Sequence, residues 1–154
     1  MKFKAHDYQQ YAIDFILSHP VCCLILDMGL GKTAITLTAM MELLFNYFLV
    51  GKVLVIAPKR VAESTWPAEI KKWEHLTGLT YSVVKGTAKQ RNEALLRQAD
   101  VYIIGRDNVT WLVEKKYCSF DLIVIDELSS FKSPKAQRFK SLRKVRPLAS
   151  RVIG

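Results

Sequence analysis

No aspartate or glutamate follows Glu127, although Lys132, Lys135, Arg138, Lys140, Arg143, Lys144, Arg146 and Arg151 all lie beyond it. Such a one-sign stretch serves as a solvated face, a disordered arm or part of a groove that tracks phosphates. Glycine is scarce, with seven residues, and proline scarcer, with five; together these exclude a low-complexity or disordered chain. Three cysteines, two of them adjacent (Cys22 and Cys23), make no disulfide framework. In an apolar run they act as small hydrophobes, so a reducing, cytoplasmic setting is expected. The first residues, Met1 to Asp7, hold no apolar core of the kind a secretion signal needs. The most apolar stretch, residues 34–50, carries Glu42 and Asn46 and is short of a bilayer span. It reads as a buried helix, and no membrane partner is expected.

What is present points to one packed domain. Half of the 154 residues are hydrophobic, and this length suits a single sizeable core. Lysine and arginine outnumber the acids by 23 to 14, a net charge of +9. That balance suits a polyanion such as nucleic acid, with a merely solubilising surface as the competing reading. Apolar, β-branched-rich runs at 21–26, 53–57, 81–84, 101–104 and 122–125 are nearly continuous, as strands buried on both faces are. Between them, residues 32–48, 62–75 and 87–98 are long enough for helices. The first is apolar almost all round, as a helix lying deep against a sheet should be, and Gly51 is expected to stop it. Strands alternating with helices predict an α/β domain with a mostly parallel sheet and right-handed crossovers, binding its ligand beyond the carboxyl ends of the strands.

The first strand runs into Asp27-Met28-Gly29-Leu30-Gly31-Lys32-Thr33, and a helix follows at once. Gly29 and Gly31 allow a tight turn whose N–H groups aim inward at phosphate oxygens. The helix N-terminus adds its partial positive charge. In a P-loop, Lys32 reaches the outer phosphates of ATP and the Thr33 hydroxyl ligates Mg²⁺. The strict G-x-x-x-x-G-K-[ST] pattern requires glycine at position 26, where this chain has Leu26. The strand before and the helix after supply the confirming context.

A second motif closes the strand at 122–125 with Asp126-Glu127. An apolar strand that ends in two carboxylates implies a cation or a reactive group beside them. Paired with a P-loop, Asp126 would hold Mg²⁺ and Glu127 would orient the attacking water. His19 and His75 read as surface or helix-end residues, and no Cys/His spacing suits a metal. Trp73 and Trp111 read as core anchors; Trp66 fits either a core or a nucleic-acid role.

Met28-Gly29-Leu30-Gly31-Lys32-Thr33 resembles motif I of Swi/Snf-type helicase-like ATPases of superfamily two, where position 26 need not be glycine. His6-Asp7-Tyr8-Gln9 resembles the Q motif, which implies that Gln9 reads the adenine edge. Ala57-Pro58-Lys59-Arg60, with Trp66 and Glu69, resembles motif Ia on the nucleic-acid side. Ile104-Gly105-Arg106-Asp107 stands where motif Ib would be, and Asp126-Glu127-Leu128-Ser129 resembles motif II, with Ser129 where the family commonly has histidine. The likeness covers nearly the whole chain, phage-encoded members being especially similar in style.

This resemblance implies a RecA-like P-loop domain: a three-layer sandwich and the N-terminal lobe of a two-lobe motor. It implies ATP and Mg²⁺ as ligands, held by Gln9, the loop 28–33 and Asp126. The track is nucleic acid, with double-stranded DNA expected, met through backbone phosphates by Lys59, Arg60 and Arg106. Motif III and a second RecA-like lobe bearing an arginine finger would follow Gly154, so the isolated lobe is expected to be nearly inactive as an ATPase. Two rival functions stand beside this one. One is another P-loop enzyme; the other is a nucleotide- or DNA-binding module that never hydrolyses ATP.

Overall fold

The computed structural model describes residues 4–19, 21–22, 32–48, 50–114, 120–126 and 151–153. β-branched and apolar runs form the strands: β1 (Val21–Cys22), β2 (Val53–Ala57), β3 (Tyr81–Val84), β4 (Val101–Gly105), β5 (Leu122–Ile125) and β6 (Arg151–Ile153). They make one six-stranded sheet in the order β1-β6-β5-β2-β4-β3, and every pairing is parallel. β2, β4 and β5 are buried along their whole length. That is why these strands are apolar throughout rather than alternating.

Alternate side chains along each strand enter opposite cores. Val53, Val55, Ala57, Val101, Ile103, Leu122 and Val124 pack with residues of α1 (Asp7–Ser18), α2 (Lys32–Met41) and α3 (Trp66–Lys72). Leu54, Ile56, Tyr102, Ile104, Ile123 and Ile125 pack with residues of α4 (Ala88–Leu96) and α5 (Val109–Glu114). Helix, sheet and helix give three layers, the α/β sandwich expected from the alternation of elements.

Several local features depart from expectation. The predicted helix 32–48 is α2 followed by a wider π turn, Glu42–Asn46, closed by the Tyr47 N–H on the Glu42 carbonyl at 2.9 Å. Its stop is not Gly51. Phe48 takes the left-handed conformation, with φ of 53°, while the Gly51 and Lys52 N–H groups donate to Asp121 Oδ2 at 2.8 and 3.1 Å. The predicted helix 62–75 divides into a π turn (Val61–Thr65), α3 and a 3₁₀ turn (Glu74–Leu76). Pro67 lies in the first turn of α3, just after the π turn. α1 is an unforeseen helix whose buried residues Gln9, Ala12, Ile13 and Ile16 share one face. β6 is likewise unforeseen, and it pairs with both β1 and β5.

His75 is half-buried rather than a surface residue. Its Nε2 lies 2.8 Å from Thr38 Oγ1, and that hydroxyl donates to the Ala34 carbonyl at 2.7 Å. The histidine is therefore the donor, which joins the turn after α3 to α2. Burial lowers its pKa from the ordinary 6.5.

Two expectations follow from this packing. Ile103→Ala, at a site with no exposure, should cost about 2–5 kcal/mol, seen as a lower urea midpoint at constant slope. A histidine with a lowered folded pKa favours the fold in its neutral form. Its contribution is complete above 6.5 and fades as pH falls below that value. His75→Gln should flatten this part of the stability-versus-pH curve.

Candidate functional site

A sheet with all strands parallel opens every carboxyl end on the same edge. β5 leads into Asp126, β1 is the strand that precedes α2, and β6 stands between them. With strands about 4.8 Å apart, β1 and β5 are separated by roughly 10 Å.

Lys32 is the first residue of α2, and Thr33, next to it, is half-buried. No acid occupies the first turn of α2, so the positive end of the helix dipole is not cancelled there. Met28, Gly29, Leu30 and Gly31 lie outside the described residues, as do Glu127 and Ser129.

Asp126 is fixed from two directions. Its N–H donates to the Ile56 carbonyl at 2.7 Å, which extends the β5 ladder against β2 by one residue. One carboxylate oxygen, Oδ2, accepts the Trp66 indole N–H at 3.0 Å. Among the described residues no cluster of three or more His, Cys, Asp or Glu could hold a metal. Magnesium needs no such cluster, since it is commonly held by one or two carboxylates plus substrate phosphates. A half-buried carboxylate with one oxygen engaged fits that role.

Gln9 is 7% exposed. Its Oε1 accepts the His6 N–H at 2.9 Å, so the side chain caps the start of α1. The capping bond uses the amide oxygen and places the residue at the helix start.

The basic candidates occupy the same edge further along. Lys59 and Arg60 follow β2 and are exposed, whereas Arg106, just after β4, is half-buried. The two segments touch: a Cβ built on Gly105 would lie 3.4 Å from Lys59 Cα. Beside them is a cleft of about 690 Å³ whose lining includes Lys59, Lys85, Arg91 and Arg97, together with Glu63, Glu93 and Asp107. Lys85, Arg91 and Arg97 were not foreseen. Lys85 follows β3, Arg91 lies on α4 and Arg97 follows α4, and no contiguous motif marks them. Acids nearly balance bases in this lining, so the exposed Lys59 and Arg60 are the better phosphate candidates. The basic residues from Lys132 to Arg146 lie outside the described residues.

The tryptophans separate cleanly. Trp73 and Trp111 are half-buried and pack at the margins of the two cores; Arg91 lies 4.5 Å above the Trp111 ring. Trp66, at 2% exposure, is fully interior.

A doubly covered parallel sheet with an acidic strand end, in a chain whose α2 begins at Lys32-Thr33, has the RecA-like P-loop fold. Within it, residues 7–152 match the SNF2-related domain, and the chain belongs to that family. It is 38% identical over 134 residues to protein p41 of Acyrthosiphon pisum secondary endosymbiont phage 1, covering 85% of this chain and 29% of p41. In fold it is similar to the Sulfolobus solfataricus SWI2/SNF2 ATPase core solved with dsDNA, with a TM-score of 0.83 and 23% identity, covering 99% of this chain and 32% of that one. It is also similar to the UvsW helicase of Bacteriophage T4, with a TM-score of 0.77 and 18% identity over 99% of this chain and 52% of that one. The chain thus spans roughly a third to a half of these proteins.

Two substitutions separate the roles of Gln9. Gln9→Ala should destabilise the fold by about 0.5–2 kcal/mol through loss of the cap. Gln9→Glu keeps a capping acceptor and should preserve the thermal midpoint while reducing preference for adenine over guanine nucleotides in competition binding.

Proposed function

We propose that this chain is the nucleotide-binding lobe of an ATP-driven motor that moves along nucleic acid, double-stranded DNA being the favoured track. The observation that carries the reading is Asp126 at the carboxyl end of β5, next to the β2 end that leads into Lys59 and Arg60, in a chain whose α2 begins at Lys32-Thr33. Family membership and the fold of the SWI2/SNF2 core solved with dsDNA support it.

In this reading the loop 28–31 wraps the phosphates and Gln9 meets the adenine edge. Lys32 offsets charge on the outer phosphates. Thr33 and Asp126 hold Mg²⁺, and Glu127 orients the attacking water by accepting its proton density. Bound magnesium supplies charge neutralisation at the phosphates. Lys59, Arg60 and Arg106 meet backbone phosphates of the track, which gives affinity without reading sequence. A second RecA-like lobe of the same protein would complete the machine, because a motor step needs two bodies that close and reopen. A cytoplasmic setting suits this work.

Calorimetry should register Mg-nucleotide uptake by the chain, lost in Lys32→Ala and Asp126→Asn; no heat at millimolar ligand would defeat the reading. ATP turnover by the lobe alone should be close to background with or without DNA, because an arginine finger contributes about 10³–10⁵ in rate and belongs to the second lobe. Brisk DNA-stimulated turnover by a monomer would contradict that division of labour. Uptake of nucleotide with no turnover even in the two-lobe protein would favour a binding module instead. Duplex affinity should fall steeply with salt, and Lys59→Ala should reduce the salt slope by about one.

A further inference from the structure

We infer that Trp66 is a positioning residue: its indole N–H sets the Asp126 carboxylate and ties the metal site to the segment that carries Lys59 and Arg60. This rests on the reading of Asp126 as a magnesium ligand.

The geometry is specific. Trp66 is 2% exposed, and its ring packs in the core with residues of α1 and α2. A buried N–H needs an acceptor. Trp73, on the same helical segment, satisfies its own with Glu69 four residues earlier, at 2.6 Å. Trp66 instead reaches across 60 positions of sequence to Asp126 Oδ2 at 3.0 Å. The carboxylate is held between this bond and its own backbone bond to Ile56. One oxygen therefore has a fixed direction.

Trp66 also joins that carboxylate to the basic segment through continuous helical backbone. Pro58 O accepts the Ala62 N–H at 2.8 Å and Arg60 O accepts the Ser64 hydroxyl at 2.7 Å. The π turn Val61–Thr65 then runs straight into α3, which begins at Trp66. Ala62 is 1% exposed, so the turn is seated in the core. A phosphate that pulls on Lys59 or Arg60 thus pulls on a stiff element whose far end donates to Asp126. The same element passes any shift of Asp126 back toward the track, as linkage requires.

A purely structural role would also give a buried indole a partner, so the test must read the metal rather than stability. Nucleotide affinity is measured with ADP, with and without Mg²⁺, in the chain itself, Trp66→Phe and Asp126→Asn. The chain should prefer ADP with Mg²⁺. Asp126→Asn should lose that preference, and Trp66→Phe should lower it about tenfold, the size of one hydrogen bond to a charged group, with affinity for metal-free ADP unchanged. A chain with no magnesium preference overturns the metal reading and this inference together. A preference that Asp126→Asn loses and Trp66→Phe keeps overturns this inference alone.

Should Trp66→Phe fail to fold, the unsubstituted protein still decides. Its three tryptophans give three indole N–H resonances, and Trp73→Phe and Trp111→Phe assign two of them. The remaining Trp66 signal should shift when Mg²⁺ is added to the ADP complex and again when short duplex DNA is added. A Trp66 signal indifferent to Mg²⁺ refutes the positioning role. One that moves with Mg²⁺ but ignores bound DNA refutes the link to Lys59 and Arg60.

Discussion

Burial of a parallel sheet on both faces leaves charged chemistry nowhere to go except the rim. β2, β4 and β5 contribute no polar side chain to either core apart from the Tyr102 hydroxyl, which donates to the Arg97 carbonyl. Because the strands all run the same way, their two rims differ in kind. The amino rim is stapled shut: Asp121 takes the Gly51 and Lys52 N–H groups, and Asp100 takes the Thr80 N–H and hydroxyl. The carboxyl rim carries Asp126, Lys59, Arg60 and Arg106. Its basic side chains suit an anionic ligand, and the Asp126 carboxylate suits a cation.

That arrangement also explains how the two halves of the rim can communicate. In the proposed reading the nucleotide belongs to the β1 and β5 end and the nucleic acid to the β2 and β4 end, with β5 and β2 adjacent in the sheet. Asp126 already straddles the boundary, since its N–H rests on β2 and its carboxylate on the helix that follows β2. In the family motif II commonly offers a histidine for such coupling, where this chain has Ser129. The Trp66–Asp126 bond is a route between the two regions that does not pass through that position.

Much of the fold was legible in the residues. The runs at 53–57, 81–84 and 122–125 coincide with β2, β3 and β5 because each is apolar and β-branched and bounded by polar residues. The run at 101–104 stops one short of β4, where Gly105 still pairs with Ala57. β6 escaped notice because Arg151–Ile153 is too short to carry a pattern; partners distant in sequence make it a strand. The end of α2 was misplaced because Gly51 is the residue that favours the left-handed region, yet Phe48 adopts it. At the site, motif spacing singled out Lys32, Thr33 and Asp126, which stand at the start of α2 and just after β5. It could not reveal that Gln9 caps α1, that Arg106 is half-buried, or that Trp66 touches Asp126. Those facts depend on contacts between elements, which no local pattern encodes.

The central claim is that magnesium–nucleotide docks on the carboxyl rim between α2 and β5. Replacing Mg²⁺ by paramagnetic Mn²⁺ in the nucleotide complex tests it directly through the broadening of backbone amide resonances. The account predicts strong broadening at Thr33 and Asp126 and none at Gly51, Lys52 or Asp100. Broadening centred on those amino-rim residues, or spread evenly over the molecule, would contradict it.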